Sequence, residues 1–127
     1  MKITSATPVL CVDRVEPTRD FFKRVGFEVT VEIPDGDALG FSLLARDGVQ
    51  VMVETRGNAN EPPPLQFLTR DSHRAVVFIE VDDLDAADDA LSGEVVVVDR
   101  HETFYGSEEI TYEEPGGNLV TFAKFKK

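Results

Sequence analysis

Tryptophan is missing from this 127-residue chain, cysteine occurs once, and histidine and tyrosine occur twice each. A single cysteine excludes an internal disulfide. Cys11 sits between strand-forming apolar residues in "VLCV" and reads as a small core residue rather than a nucleophile. His73 and His101 are the only imidazoles available to any metal. No apolar run approaches the roughly 18 residues that a membrane-crossing helix needs, and "MKITSATPVL" lacks a long apolar stretch with a cleavage site. Together these point to the cytoplasm. Basic residues are scarce, 13 Lys and Arg against 24 Asp and Glu, for a formal net charge of −11. Without a basic footprint to neutralise phosphates, a nucleic-acid partner is disfavoured. There is no Gly-x-Ser-x-Gly elbow, Walker loop or Cys-x-x-Cys pair.

What is present suits an ordinary globular chain, with 42% hydrophobic and 29% charged residues. Its length fits one domain, or two small half-domains sharing a core. The acid is uneven: residues 75–127 carry a net −9 and residues 1–55 a net −3. Such a field favours capture of a cationic small molecule, although charge of this kind also simply keeps a surface soluble.

"TPVLCV" (7–12) is apolar and β-prone, and "EPTRDFFKRVGF" (16–27) turns helical. In that helix Pro17 suits the first turn, Phe21, Phe22 and Val25 form the apolar stripe, and Gly26 supplies the stop. "EVTVEI" (28–33), "ALGFSLLA" (38–45) and "VQVMVE" (49–54) read as strands separated by "PDGD" and "RDG" turns. Residues 56–74 hold three consecutive prolines and little periodicity, which predicts an extended linker. The pattern then restarts. "AVVFIEV" (75–81) is a strand and "DDLDAADDALSG" (82–93) a helix capped by Asp82 or Asp83 and stopped by Gly93. "EVVVV" (94–98), "EEITYEE" (108–114) and "NLVTFAKF" (118–125) are strands. A single shift of 69 residues lays "VLCVDRVEPTRDFF" on "FIEVDDLDAADDAL" and "DGVQVMVE" on "GGNLVTFA". The chain is therefore a doubled βαβββ pattern: unit 1–55, linker 56–74, unit 75–127. "PGGN" (115–118) is a turn rather than a phosphate cradle, because a strand follows it.

The stretches "PVLCVDRVEPTRDFFKRVGFEV", "FIEVDDLDAADDAL" and "EEPGGNLVTF", in this order and spacing, resemble the vicinal oxygen chelate superfamily of glyoxalases, extradiol dioxygenases, fosfomycin-resistance and bleomycin-resistance proteins. The closing "FYGSEEITYEEPGGNLVTF" is most similar to the bleomycin-resistance branch. The resemblance implies an α+β fold in which the two units form a cup-shaped mixed sheet, in a homodimer. It also implies four inward positions that hold a metal in the enzymes of the family, here Thr7, Met52, Val76 and Thr121. None of the four is an imidazole or carboxylate, so no metal cofactor is expected at them. Glu54 shares a strand face with Met52, and Glu80 with Val76, by period two. Gathering these carboxylates with His73 or His101 on one ion would need displacements at several strands. More simply, both carboxylates lie at strand ends near solvent, His73 in the linker and His101 in a loop.

Without an ion the cup floor is Thr7, Met52, Val76 and Thr121, joined by Val9 and Phe78, an apolar lining with two hydroxyls suited to a flat molecule of modest size. Glu54 adjoins it. Phe104 and Tyr105 stand where the bleomycin-resistance branch stacks an aromatic on its ligand, or else cover the core edge. The expectation is a metal-independent protein that sequesters a small cationic or aromatic ligand. The alternatives are a lyase, isomerase or dioxygenase with a metal site displaced toward Glu54, and an interaction domain whose cup is filled by Met52 and Phe78.

Overall fold

A computed structural model describes residues 1–57, 62–66 and 73–126. Elements follow in the order β1 (Val9–Val12), α1 (Val15–Arg24), β2 (Glu28–Asp35), β3 (Ala38–Arg46), β4 (Val49–Thr55), α2 (Pro63–Gln66), β5 (Val76–Glu80), α3 (Leu84–Ala90), β6 (Val95–Glu102), β7 (Ser107–Glu113) and β8 (Leu119–Phe125). The strands make two four-stranded mixed sheets, β1-β4-β3-β2 and β5-β8-β7-β6. In each, the first strand of the unit runs parallel to the last and the other pairings are antiparallel. The doubled βαβββ pattern is the observed topology. Most of the linker lies outside the described residues, and its described part contains the single helical turn of α2 rather than only extended chain.

Local chemistry explains the boundaries. Gly26 takes a φ of +90°, and beyond it Phe27 N–H bonds the Phe22 carbonyl at 3.1 Å while Gly26 N–H bonds that of Lys23 at 2.9 Å. These are the paired bonds of a Schellman stop. Arg46 from β3 donates to the carbonyl of Val25 at the same end. The two-residue β3–β4 turn places Asp47 and Gly48 at φ +51° and +79°, the doubly left-handed form that Asp-Gly accepts most readily. At the start of α3, Asp83 caps the helix by accepting from Ala86 N–H at 3.0 Å.

The helix-side faces of both sheets meet in one core. Leu10, Val12, Leu44, Val51 and Val53 from the first sheet and Ile110, Tyr112, Val120 and Phe122 from the second are all buried in it, with Phe21, Phe22, Leu84 and Leu91 from the helices and their ends. Phe21 of the first unit packs edge-on against Tyr112 of the second at 6.4 Å, and Tyr112 against Phe122 at 5.9 Å. A polar joint lies alongside: Thr18 donates to buried Glu114 at 2.5 Å. Arg24 reaches the Ser92 carbonyl at 2.7 Å and Glu94 at 3.3 Å. The other face of each sheet therefore points outward, away from the shared core. No helix among the described residues is long and apolar enough to cross a membrane.

Candidate functional site

Alternation sends odd and even positions of a strand to opposite faces, so strand register decides which side chains share an outward face. On the first sheet Val9 is paired with Met52 and Cys11 with Glu54, while Leu43 and Phe41 sit opposite Met52 and Glu54 on β3. Thr7 precedes β1 and donates to Gln50 at 3.4 Å. On the second sheet one row across the strands is Phe78, Thr121, Thr111, Val98, and the next is Glu80, Ala123, Glu109, His101. Val76 lies opposite Leu119.

The sequence-predicted positions thus do lie on outward faces, but not together. Val9, Met52 and Glu54 belong to one sheet, with Thr7 just ahead of its first strand, and Val76, Phe78 and Thr121 belong to the other. Because both sheets turn their backs to the same core, these positions fall, among the described residues, on two separate outward faces. Three further expectations are corrected. Cys11 is half-buried on the outward face and is not part of the core. Glu54, 9% exposed, is buried beside Cys11 and Phe41 instead of lying near solvent. His101 is a strand residue of β6 whose Nδ1 meets the Asp99 carbonyl at 2.8 Å. Glu80 is exposed as expected, and His73 lies exposed in the linker.

The donor chemistry at the four family positions does not fit a divalent ion: two hydroxyls, a thioether and an alkyl group. The Thr121 hydroxyl is already engaged by that of Thr111 at 2.7 Å. Among the described residues no three His, Cys, Asp or Glu side chains come together to hold a metal. Nor is the lining packed solid, since Phe78 is 49% and Val76 67% exposed.

The sequence reading missed a polar cluster on β7. Glu109, only 6% exposed, accepts from Ser107 Oγ at 2.7 Å and from the Tyr105 hydroxyl, both on its Oε2. Thr103 Oγ1 extends the cluster to Ser107 Oγ at 2.7 Å. The bond to Glu109 is the main cause that raises the Tyr105 pKa above its ordinary value of 10.0, so the phenol stays protonated as the donor. Around it the rings run on: Phe104 meets Tyr105 at 5.1 Å, Tyr105 meets Phe125 at 6.0 Å, and Phe125 meets Phe78 at 6.3 Å. Period-two parity along "SEEITYE", anchored to Thr121 through the hairpin, places Ser107, Glu109 and Thr111 on the outward face and was the signal available. A concavity of about 1130 Å³ lies at the start of α3 between Asp83, Asp85, Arg100 and Glu108 and reaches round to Glu80 and Phe125. Of the basic side chains that line it, Arg100 is already engaged by Asp85 at 2.5 Å and Glu108 at 2.9 Å.

Solved structures share this architecture. TioX from Micromonospora sp. ML1 superposes with a TM-score of 0.76 at 20% identity, over 97% of this chain and 100% of that one. A bleomycin resistance determinant encoded on the transposon Tn5 gives 0.70 at 16% identity, over 98% and 100%. Lactoylglutathione lyase from Agrobacterium tumefaciens gives 0.73 at 16% identity, over 98% and 96%. Comparison with curated protein sequences gives no significant match. Residues 4–122 match the family model described as Glyoxalase/Bleomycin resistance protein/Dioxygenase superfamily, and with the doubled βαβββ topology in place the chain belongs to that superfamily.

Proposed function

We propose that this protein binds a small organic molecule without a metal at the four family positions, in a cup completed when two copies bring outward faces together. The carrying observation is the character of those faces. Each unit presents an open sheet surface with exposed Val9, Val31 and Ile33 on one and Val76 and Phe78 on the other. Apolar area of this kind marks an interaction surface. A binding protein of modest specificity needs such a lining with a few polar groups, here Thr7, Glu54, Thr121 and the Tyr105 cluster. The net charge of −11 favours a cationic ligand. Likeness to a bleomycin resistance determinant is compatible with sequestration, and likeness to a lactoylglutathione lyase keeps chemistry as the competing reading.

The test is a thermal-shift panel of cationic glycopeptides, planar aromatic antibiotics and divalent metals, with elemental analysis of the purified protein. A ligand held at about 100 times its Kd stabilises the native state by about 2.7 kcal/mol. At least one organic cation should raise the melting temperature, and the metals should not. Stoichiometric metal that is lost on Glu54→Ala would instead establish an enzyme-type site around that buried carboxylate.

A further inference from the structure

The two units repeat one plan, yet the seam between them is filled on one side and hollow on the other. A cleft of about 300 Å³ opens where the end of α1 and the β3–β4 turn face α3, on the helix side of the sheets and so away from the outward faces. Its floor is apolar, with Phe27, Ile79, Val81 and Phe122. Arg24 and Arg46 line it from the first unit, Asp82 and Asp83 from the second. The 69-residue shift identifies what is missing. It lays Phe21 on Ala90, Thr18 on Ala87 and Asp13 on Asp82, and in the hairpins it lays Val49, opposite Arg46, on Asn118, opposite Glu114. On the filled side the Phe21 ring packs on Tyr112, the Glu114 carboxylate takes the Thr18 hydroxyl, and Asp13 pairs with Arg56 at 2.9 Å. On the hollow side alanines replace the ring and the hydroxyl, the Arg46 guanidinium replaces the carboxylate, and Phe125 stands in the place of Arg56.

Three groups are therefore absent from the cleft: a ring, a carboxylate to meet Arg46, and a cation to meet Asp82. Arg46 is held in position, because its Nη1 donates to the Val25 carbonyl beside Gly26, where any Cβ would strike the guanidinium. Its Nε reaches exposed Asp47 at 3.3 Å, and its Nη2 makes no hydrogen bond among the described residues. The Asp82 carboxylate accepts none among them either. An apolar cleft with a few convergent polar groups is the usual form of a small-molecule site, and opposite charges on its two walls select a zwitterion. A lone cation would leave Arg46 unmet, and a lone anion would leave Asp82 unmet.

We propose that this cleft binds an α-amino acid with an aromatic side chain, of the size of phenylalanine. Its carboxylate accepts from Arg46 Nη2, its ammonium donates to Asp82, and its ring lies beside Ala90 against Phe27 and Phe122. The site is separate from the outward faces and does not depend on a second copy.

The probes are L-phenylalanine, phenethylamine, which lacks the carboxylate, and 3-phenylpropanoate, which lacks the ammonium. Each is titrated into the protein by calorimetry. Wild-type protein should bind L-phenylalanine at least tenfold more tightly than either of the others. Asp82→Asn should remove the advantage over 3-phenylpropanoate; Asp82 is exposed and Asp83 is the cap of α3, so this change leaves the fold intact. Ala90→Phe gives the second unit the ring of the first and should abolish binding with no fall in melting temperature. Asp37→Asn, the same change of charge in the exposed β2–β3 turn, should alter nothing. The inference is overturned by a wild-type protein that does not bind or does not prefer L-phenylalanine, by a preference that survives Asp82→Asn, or by an equal loss with Asp37→Asn. Full affinity in a folded Ala90→Phe also overturns it, because the amino acid would then sit elsewhere. Should Ala90→Phe melt early, Asp82→Asn decides alone. The outward-face reading stands or falls separately, on the organic cations of the thermal-shift panel.

Discussion

Glu114 is 1% exposed, and its carboxylate is surrounded by donors on both sides: Thr18 Oγ1 and Gly116 N–H on Oε2, Asn118 N–H and Nδ2–H on Oε1. Such a site accepts a group with two acceptor atoms and nothing else. Glu114→Gln would point an NH2 at N–H donors whichever way the amide is turned. Unfolding in urea should show a loss of about 2–3 kcal/mol, the scale of an unmade buried charge-assisted bond. Gly116 is constrained by the same joint, because a Cβ there would lie 2.3 Å from Val12 Cγ1 and 2.7 Å from Thr18 Oγ1. Gly116→Ala should cost a further about 1–3 kcal/mol through overpacking. If both variants unfold at the wild-type urea midpoint, the joint between the units contributes nothing to stability.

At the scale of elements, α1 is fastened to its own sheet as well as to the second unit. Glu16 accepts from Leu39 N–H at 3.1 Å, tying the first turn of the helix to the start of β3. Its own backbone N–H first, and that of Leu39 second, hold its pKa below the ordinary value of 4.5. A carboxyl depressed in the folded state stabilises the protein fully above its unfolded pKa and loses that contribution as pH falls through the folded one. The urea midpoint should therefore drop below about pH 4.5, and Glu16→Gln should flatten that drop. An unchanged acid limb in the variant would remove Glu16 from the account. The elements themselves were readable from the sequence because their signals are local: Asp-Gly in the β3–β4 turn, Gly26 and Gly93 after the helices, alternation in "VQVMVE". Burial was harder to read. Cys11 and Glu54 sit among apolar neighbours that suggest a core for one and a solvated strand end for the other, yet cross-strand register pairs them on the outward face. Glu109 escaped notice for a related reason, since its enclosure comes from Tyr105 in the preceding turn and no periodicity shows that. The division of Thr7 and Met52 from Val76 and Thr121 follows from how the units stack, which a repeat of 69 residues leaves open.

For the molecule as a whole, that stacking makes self-association the expected state. The proposed cup exists only if outward faces of two copies meet, so sedimentation equilibrium should return twice the 14.1 kDa chain mass. Ile33 is half-exposed on the first sheet, and Ile33→Glu should raise the dimer dissociation constant at least tenfold without altering the fold. A wild-type protein that sediments as a monomer at all accessible concentrations would sink the shared cup. The interior placement of β8, between β5 and β7, carries one more consequence. During synthesis the first sheet has all its strands once Thr55 has left the ribosome, but the second must wait for Phe125. Until then Phe21 and Thr18 have no Tyr112 or Glu114 to meet, and the nascent first unit shows water the side on which it will later close.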